Sequence, residues 1–121
     1  MKKILVVDDE QDLLKVLGDR LTAAKYNVIT ASNGIEAVKM AKQQKPDLII
    51  LDIMLPGIDG GKVEEILKDD EQTKKIPIII LSALYTKEDE KIRGNYSGGN
   101  VFIGKPYDPD KLLEIIRENI R

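Results

Sequence analysis

The stretch Leu48-Ile49-Ile50-Leu51-Asp52-Ile53-Met54-Leu55-Pro56-Gly57 decides how this chain folds. Four large apolar residues lead straight into a carboxylate, and a Pro-Gly turn follows almost at once. A continuous apolar run of that length, bounded by turn residues, reads as a strand buried on both faces. A charge inside such a strand would cost several kcal/mol, so Asp52 belongs at the lip of the sheet. The strand is a mount, and a carboxylate stands at its carboxyl end.

The rest of the chain repeats the same unit on either side. Ile4-Leu5-Val6-Val7 is a β-rich run that stops at Asp8-Asp9-Glu10. Gln11 to Ala24 then reads as a helix, with Leu13, Leu14, Val16, Leu17 and Leu21 at helical spacing. Asn27 to Thr30 is a second strand. Asn33-Gly34 opens a second helix with Ala37, Val38 and Ala41 inward, and Lys45-Pro46 closes it. After the strand ending at Asp52, Gly60-Gly61 leads into a third helix with Val63, Ile66 and Leu67 inward. Ile76 to Leu81 is strand four, where Pro77 is tolerable only near the start. Ser82-Ala83-Leu84 follows it. A polar helix spans Lys87 to Arg93, and the glycine-rich Gly94 to Gly99 segment ends it. Val101-Phe102-Ile103 is strand five, followed by Gly104-Lys105-Pro106. The last helix has Asp108 as N-cap, Pro109 in its first turn, and Leu112, Leu113, Ile116 and Ile120 inward.

Five strands alternating with five helices argue for an α/β fold, a parallel sheet covered on both faces. At 121 residues the chain is one domain, 1–121, and its 42% apolar content suffices for one core. The usual order for such a doubly wound (βα)5 sheet is 2-1-3-4-5, with right-handed crossovers that bring all carboxyl strand ends to one edge. Asp8 and Asp9 end strand one, Asp52 ends strand three, Ser82 follows strand four and Lys105 follows strand five. Strands 1, 3, 4 and 5 are neighbours in that order. All five side chains are therefore expected at one edge, beside the point where the winding reverses and ligands tend to bind.

Composition narrows the chemistry. The net charge is −2, so no basic footprint argues for direct nucleic-acid binding. There is no cysteine and no histidine. Disulfides, thiolate chemistry, the usual zinc sites and histidine acid–base catalysis are removed together. Only four apolar residues separate Met1-Lys2-Lys3 from the first acids, too few for a signal peptide's core, and no segment is apolar enough for a membrane span. A cytoplasmic protein is the expectation. The Met1-Lys2-Lys3 start leans towards a stand-alone chain, although the first domain of a longer protein would begin the same way.

Three carboxylates brought together repel one another and need a cation. With oxygen ligands alone, that cation is hard: Mg²⁺, or Mn²⁺ in its place. Lys105 is a point charge suited to a phosphoryl oxygen, and Ser82 supplies a hydroxyl. A metal on one side, an ammonium on the other and a carboxylate in line make a phosphoryl-transfer geometry. Taken singly, these residues also have plainer readings. Asp8-Asp9-Glu10 suits an acidic start to the first helix, Ser82 a turn serine, and Lys105 a solvated lysine. Their shared edge is what favours the chemical reading.

Four motifs then coincide with those positions: Val6-Val7-Asp8-Asp9-Glu10, Leu51-Asp52-Ile53-Met54-Leu55-Pro56-Gly57-Ile58-Asp59-Gly60, Leu81-Ser82-Ala83 and Lys105-Pro106-Tyr107. Over its whole length the chain resembles the receiver domain of bacterial two-component response regulators, a flavodoxin-like fold. The resemblance implies that Asp52 is phosphorylated by a sensor histidine kinase or a phosphotransfer protein. It implies that Asp9, Asp52 and the Met54 carbonyl ligate the metal directly, with Asp8 holding a metal-bound water. Ser82 and Lys105 would grip the phosphoryl oxygens, and Phe102 would swing as Ser82 is drawn in. Lys105-Pro106 is often cis in the family. The face of helix four, strand five and helix five would carry the signal to a downstream effector or to an output domain, as a monomer or a phosphorylation-dependent dimer. Such a domain is not an enzyme on a separate substrate; it catalyses only its own phosphorylation and dephosphorylation.

Other functions fit the fold less well. A flavin binder would have its phosphate repelled by Asp8-Asp9-Glu10. An aspartyl-phosphate phosphohydrolase places its nucleophile after strand one and needs extra length. A nucleotide enzyme lacks its Gly-x-x-x-x-Gly-Lys loop here. An inactive pseudo-receiver scaffold usually lacks an acid, the acceptor or the lysine, and all are present. The glycine-rich Gly94 to Gly99 segment departs from the family's usual longer fourth helix, and residues 86–99 are expected to exchange amide hydrogens faster than the other helical regions.

Overall fold

All five residues of β3 (Leu48–Asp52) are buried, because a parallel strand flanks it on each side and helices cover both faces. The computed structural model describes residues 1–97 and 100–120. In it β3 pairs with β1 (Lys3–Val7) on one side and β4 (Ile78–Ser82) on the other. β2 (Asn27–Ala31) lies beyond β1, and β6 (Asn100–Gly104) lies beyond β4. These five strands are parallel and give the expected 2-1-3-4-5 order, β6 being the fifth. One element is additional. A two-residue strand, β5 (Tyr96–Ser97), pairs antiparallel with the outer edge of β6, where the sequence reading had only a glycine-rich connection. Gly98 and Gly99, central to that reading, lie outside the described residues, as does Arg121.

Period-two alternation divides the strands between two cores. Ile4 and Val6, Leu48 and Ile50, and Ile79 and Leu81 face α1 (Gln11–Ala23) and α5 (Pro109–Asn119). Leu5 and Val7, Ile49 and Leu51, and Ile78 and Ile80 face α2 (Gly34–Gln44) and α3 (Gly60–Asp69). Each fully buried Leu or Ile contributes roughly 1.5–3 kcal/mol by leaving water. Asn33, Asp59 and Asp108 cap their helices by accepting backbone N–H groups with their side chains.

Some details differ from the pattern read in the sequence. Val16 was expected to face inward but is 53% exposed, since Leu14, Leu17 and Leu21 already define the buried stripe and residue 16 falls beside it. Ile115 is buried between Leu112 and Ile116 and extends the inner face of α5. Strand four begins at Ile78, two residues later than expected; Pro77 precedes it and lends its carbonyl to Ile49 N–H at 2.9 Å. The fourth helix, α4 (Lys87–Arg93), has the expected bounds and buries none of its residues. Among the described residues no helix is long and apolar enough to cross a membrane.

The register sets the functional edge. Val7 lies opposite Leu51, Asp52 opposite Leu81, and Ser82 opposite Gly104. Asp8, Asp52, Ser82 and Lys105 therefore emerge side by side from four adjacent strands.

Candidate functional site

Asp8 and Asp9 follow β1 with opposite fates, since successive residues of an extended chain point opposite ways. Asp8 is fully buried and Asp9 is exposed. Buried charges persist only when paired and hydrogen-bonded, and Asp8 is both. Its Oδ1 accepts the Glu10 N–H at 2.9 Å, and its Oδ2 accepts a hydrogen bond from Lys105 Nζ at 2.7 Å. Asp8 thus fixes the turn that leads into α1 with one oxygen and serves the site with the other, while the start of α1 has no side-chain cap.

Asp52 is held in the same manner. Met54 N–H donates to its Oδ1 at 3.1 Å, and Lys105 Nζ donates to its Oδ2 at 3.2 Å. Lys105 is no solvated lysine: its side chain is only 13% exposed, and Glu10 Oε1 lies a further 3.6 Å from its ammonium. Carboxylate oxygens of Asp8, Asp9 and Asp52 come within 4.8 Å of one another. Three carboxylates, of Asp8, Asp52 and Glu10, therefore lie within 4 Å of one ammonium, and Asp9 joins the acids beside it. A hard divalent cation fits this all-oxygen set, since the chain offers no histidine or cysteine to soften it.

Burial pushes the Asp52 carboxyl above its ordinary value; the Met54 N–H and Lys105 oppose the shift, and the charge of Asp8 adds to it. Burial by itself would lower the Lys105 ammonium, but its hydrogen bonds to Asp8 and Asp52 and their negative charges outweigh that and hold it above the usual lysine value. Lys105 stays charged. Asp52 is the strained partner.

The loop after β3 is built around missing side chains. Gly57 takes a φ of +75°, the left-handed conformation suited to glycine. Gly60 has an ordinary φ but no room: a Cβ there would overlap the Ile53 backbone and come within 2.5 Å of the Asp52 carbonyl oxygen. The first turn of α3 thus rests directly on the end of β3 and the residue after it.

Ser82 is buried at the end of β4, where its carbonyl accepts the Lys105 N–H at 3.0 Å. Its hydroxyl oxygen accepts the Leu84 N–H at 3.0 Å and so faces its own loop. Phe102 stands apart from the acids. Half-buried, it stacks on Tyr85 with ring centroids 5.1 Å apart and 18° between planes. The two rings line a cavity of about 500 Å³ with Met54, Ser82 and Leu84. Tyr85 was not singled out from the sequence; an aromatic shortly after a strand carries no signal of its partner. The Lys105–Pro106 bond is cis, as the resemblance implied.

A doubly wound sheet with three acids and a lysine at its carboxyl edge defines the receiver class of signalling domain. The chain belongs to the response regulator family, matching the family model "Response regulator receiver domain" over residues 4–117. It is 42% identical over 119 residues to the response regulator PleD of Caulobacter vibrioides, covering 98% of this chain and 26% of that one. It is 35% identical to the polar-differentiation response regulator DivK of Brucella anthropi, covering 96% and 94%. The chain thus spans about a quarter of the length of the first of these relatives and nearly all of the second. A crystal structure of the receiver domain of the sensor histidine kinase PA1611 of Pseudomonas aeruginosa is 28% identical, with a TM-score of 0.83 and coverage of 98% and 96%. That structure has a magnesium ion coordinated in its active-site cleft.

The raised Asp52 pKa has a consequence for stability. A carboxyl whose folded pKa exceeds its unfolded one binds more protons when folded, so its contribution falls as pH rises from 3.8 through the raised value. Asp52→Asn removes that penalty and keeps an oxygen acceptor. Without divalent ions, urea unfolding should show the variant more stable near neutral pH. The difference should shrink below the ordinary aspartate pKa; a variant less stable at neutral pH would contradict the assignment.

Proposed function

We propose that this receiver domain accepts a phosphoryl group on Asp52 from a phosphohistidine of a sensor histidine kinase or phosphotransfer protein, and relays that state to a downstream effector. The observation that supports it best is the convergence of Asp8, Asp9 and Asp52 within 4.8 Å, with Lys105 bonded to two of them. A carboxylate oxygen of Asp52 attacks phosphorus; the new P–O bond forms as the P–N bond to the donor imidazole breaks, and the electron pair leaves with that nitrogen. The Met54 N–H fixes one Asp52 oxygen, so the nucleophile keeps its orientation as the group arrives. Lys105 is the mobile cation: it turns from the Asp52 oxygen to a phosphoryl oxygen while its bond to Asp8 restrains it. Ser82 contributes its hydroxyl once released from the Leu84 N–H.

Asp9, Asp52 and the Met54 carbonyl would hold Mg²⁺, or Mn²⁺ in its place, with Asp8 acting through water. When bound, the ion supplies positive charge to the acids and to the phosphoryl oxygens. The domain acts on its own carboxylate and on no separate substrate, and hydrolysis of the acyl phosphate resets it. It works in the cytoplasm, as a monomer or as a dimer formed on phosphorylation. A scaffold without phosphorylation is disfavoured because every site position is present.

Incubation with Mg²⁺ and acetyl phosphate should add one phosphoryl mass to the intact protein and none to Asp52→Asn. A wild type without the added mass, or an equally modified variant, overturns the reading. Mg²⁺ alone should raise the melting temperature, because it binds the folded state; the gain is about 2.7 kcal/mol at a hundredfold excess over Kd. Asp9→Asn should reduce that gain sharply. Equal gains in both proteins would remove Asp9 from the metal site.

A further inference from the structure

α4 keeps its place by an unusual means. None of its residues is buried, and its Ile92 is 74% exposed, so apolar packing does little to hold it. Polar contacts do that instead. Glu90 Oε2 accepts from the Asn95 side-chain amide at 3.0 Å and from the Gly104 N–H at 3.2 Å. Asn95, only 7% exposed, donates its second amide hydrogen to the Phe102 carbonyl at 2.9 Å, and its own carbonyl accepts the Phe102 N–H at 2.7 Å. Tyr85, stacked on Phe102, donates its hydroxyl hydrogen to the Gly94 carbonyl. Helix and strand are laced together through Glu90 and Asn95.

The strand residues in this lacing lie next to the site. Gly104 gives its N–H to Glu90, and Lys105, the following residue, gives its N–H to the Ser82 carbonyl at 3.0 Å. The Tyr85 N–H reaches the same carbonyl at 3.3 Å. Gly104 is pressed so closely on the loop after β4 that a Cβ would overlap the Tyr85 carbonyl oxygen. The ends of β4 and β6 and the loop leading into α4 are therefore joined through their backbones, with Ser82 and Lys105 on the inner side and the Glu90 carboxylate bonded to Gly104 on the outer side. Polar groups in such a setting are either paired or costly, so a strap of this kind releases in discrete steps rather than sliding.

We propose that Glu90 and Asn95 form a polar strap that transmits movement of Ser82 and Lys105 to α4, and are positioning residues of the phosphorylation response. The proposal rests on the phosphoacceptor reading above. Movement of Lys105 towards a phosphoryl group draws on Gly104, and the Glu90 carboxylate couples Gly104 to a helix with little else to restrain it. A glutamine at position 90 keeps the accepting oxygen and preserves the strap; an alanine does not.

Hydrogen exchange of the full chain, read at the amides of residues 87–93 with and without Mg²⁺ and acetyl phosphate, tests this in wild type, Glu90→Ala, Asn95→Ala and Glu90→Gln. Before phosphorylation, both alanine variants should exchange severalfold faster in α4, with α1 and α5 unchanged, and Glu90→Gln should match wild type. After it, wild type and Glu90→Gln should change their α4 protection. The alanine variants should gain the phosphoryl mass with no further change. Wild-type rates in both alanine variants, or an undiminished α4 response in them, overturn the strap while leaving Asp52 as acceptor. If no protein gains mass, the acceptor reading falls and the transmission role falls with it.

Discussion

The Lys105 ammonium lies between two buried carboxylates, 2.7 Å from Asp8 and 3.2 Å from Asp52, and the arrangement of the whole edge depends on it. Two like charges at the lip of an apolar sheet would repel each other and favour protonation. One cation from the far end of the chain makes their proximity tolerable. Breaking a buried ion pair by removing one partner leaves an uncompensated charge, which costs more than the pair itself contributes. The lysine does not balance the site, however, because Glu10 lies 3.6 Å from its ammonium and the exposed Asp9 adds a further carboxylate beside Asp8 and Asp52. That surplus of negative charge suits the edge to a divalent cation and to a phosphoryl group arriving with one.

Such an arrangement needs strand ends fixed to within fractions of an ångström, and the fold supplies them. β1, β3 and β4 place nearly every residue in one of two close-packed cores, where side chains have little freedom. The opposite holds at α4. It has a capping box from Thr86 and Asp89, no buried side chain, and a polar attachment to β6. Rigid strands present the chemistry, while a weakly anchored helix stands next to them. Elements that move in switching proteins come from this low-stability end of a structure.

Much of this was legible in the sequence, and for a physical reason. The Leu48–Leu51 run reads as a strand buried on both faces, and five strands alternating with helices favour the order 2-1-3-4-5, one of the two common doubly wound arrangements. Once that order is set, Asp8, Asp52, Ser82 and Lys105 must meet, because all four end parallel strands. Contacts that depend on side-chain choice rather than strand order were not legible. Nothing in the pattern around Asn95 marks a buried polar residue, since its burial depends on Glu90 and the Phe102 backbone being within reach. The β5–β6 hairpin was missed because glycine-rich composition signals a turn without specifying what pairs across it. The Tyr85–Phe102 stack and the Ser82 hydroxyl turned to the Leu84 N–H likewise follow from local loop geometry.

The central claim is that the carboxylate at the end of β3, and no other in the cluster, carries the phosphoryl group. Borohydride reduces an aspartyl phosphate to homoserine and leaves unmodified aspartate untouched. After treatment with Mg²⁺ and acetyl phosphate, reduction and peptide mapping by mass spectrometry should find homoserine in place of Asp52. Homoserine in place of Asp8 or Asp9, or none at all, would contradict it.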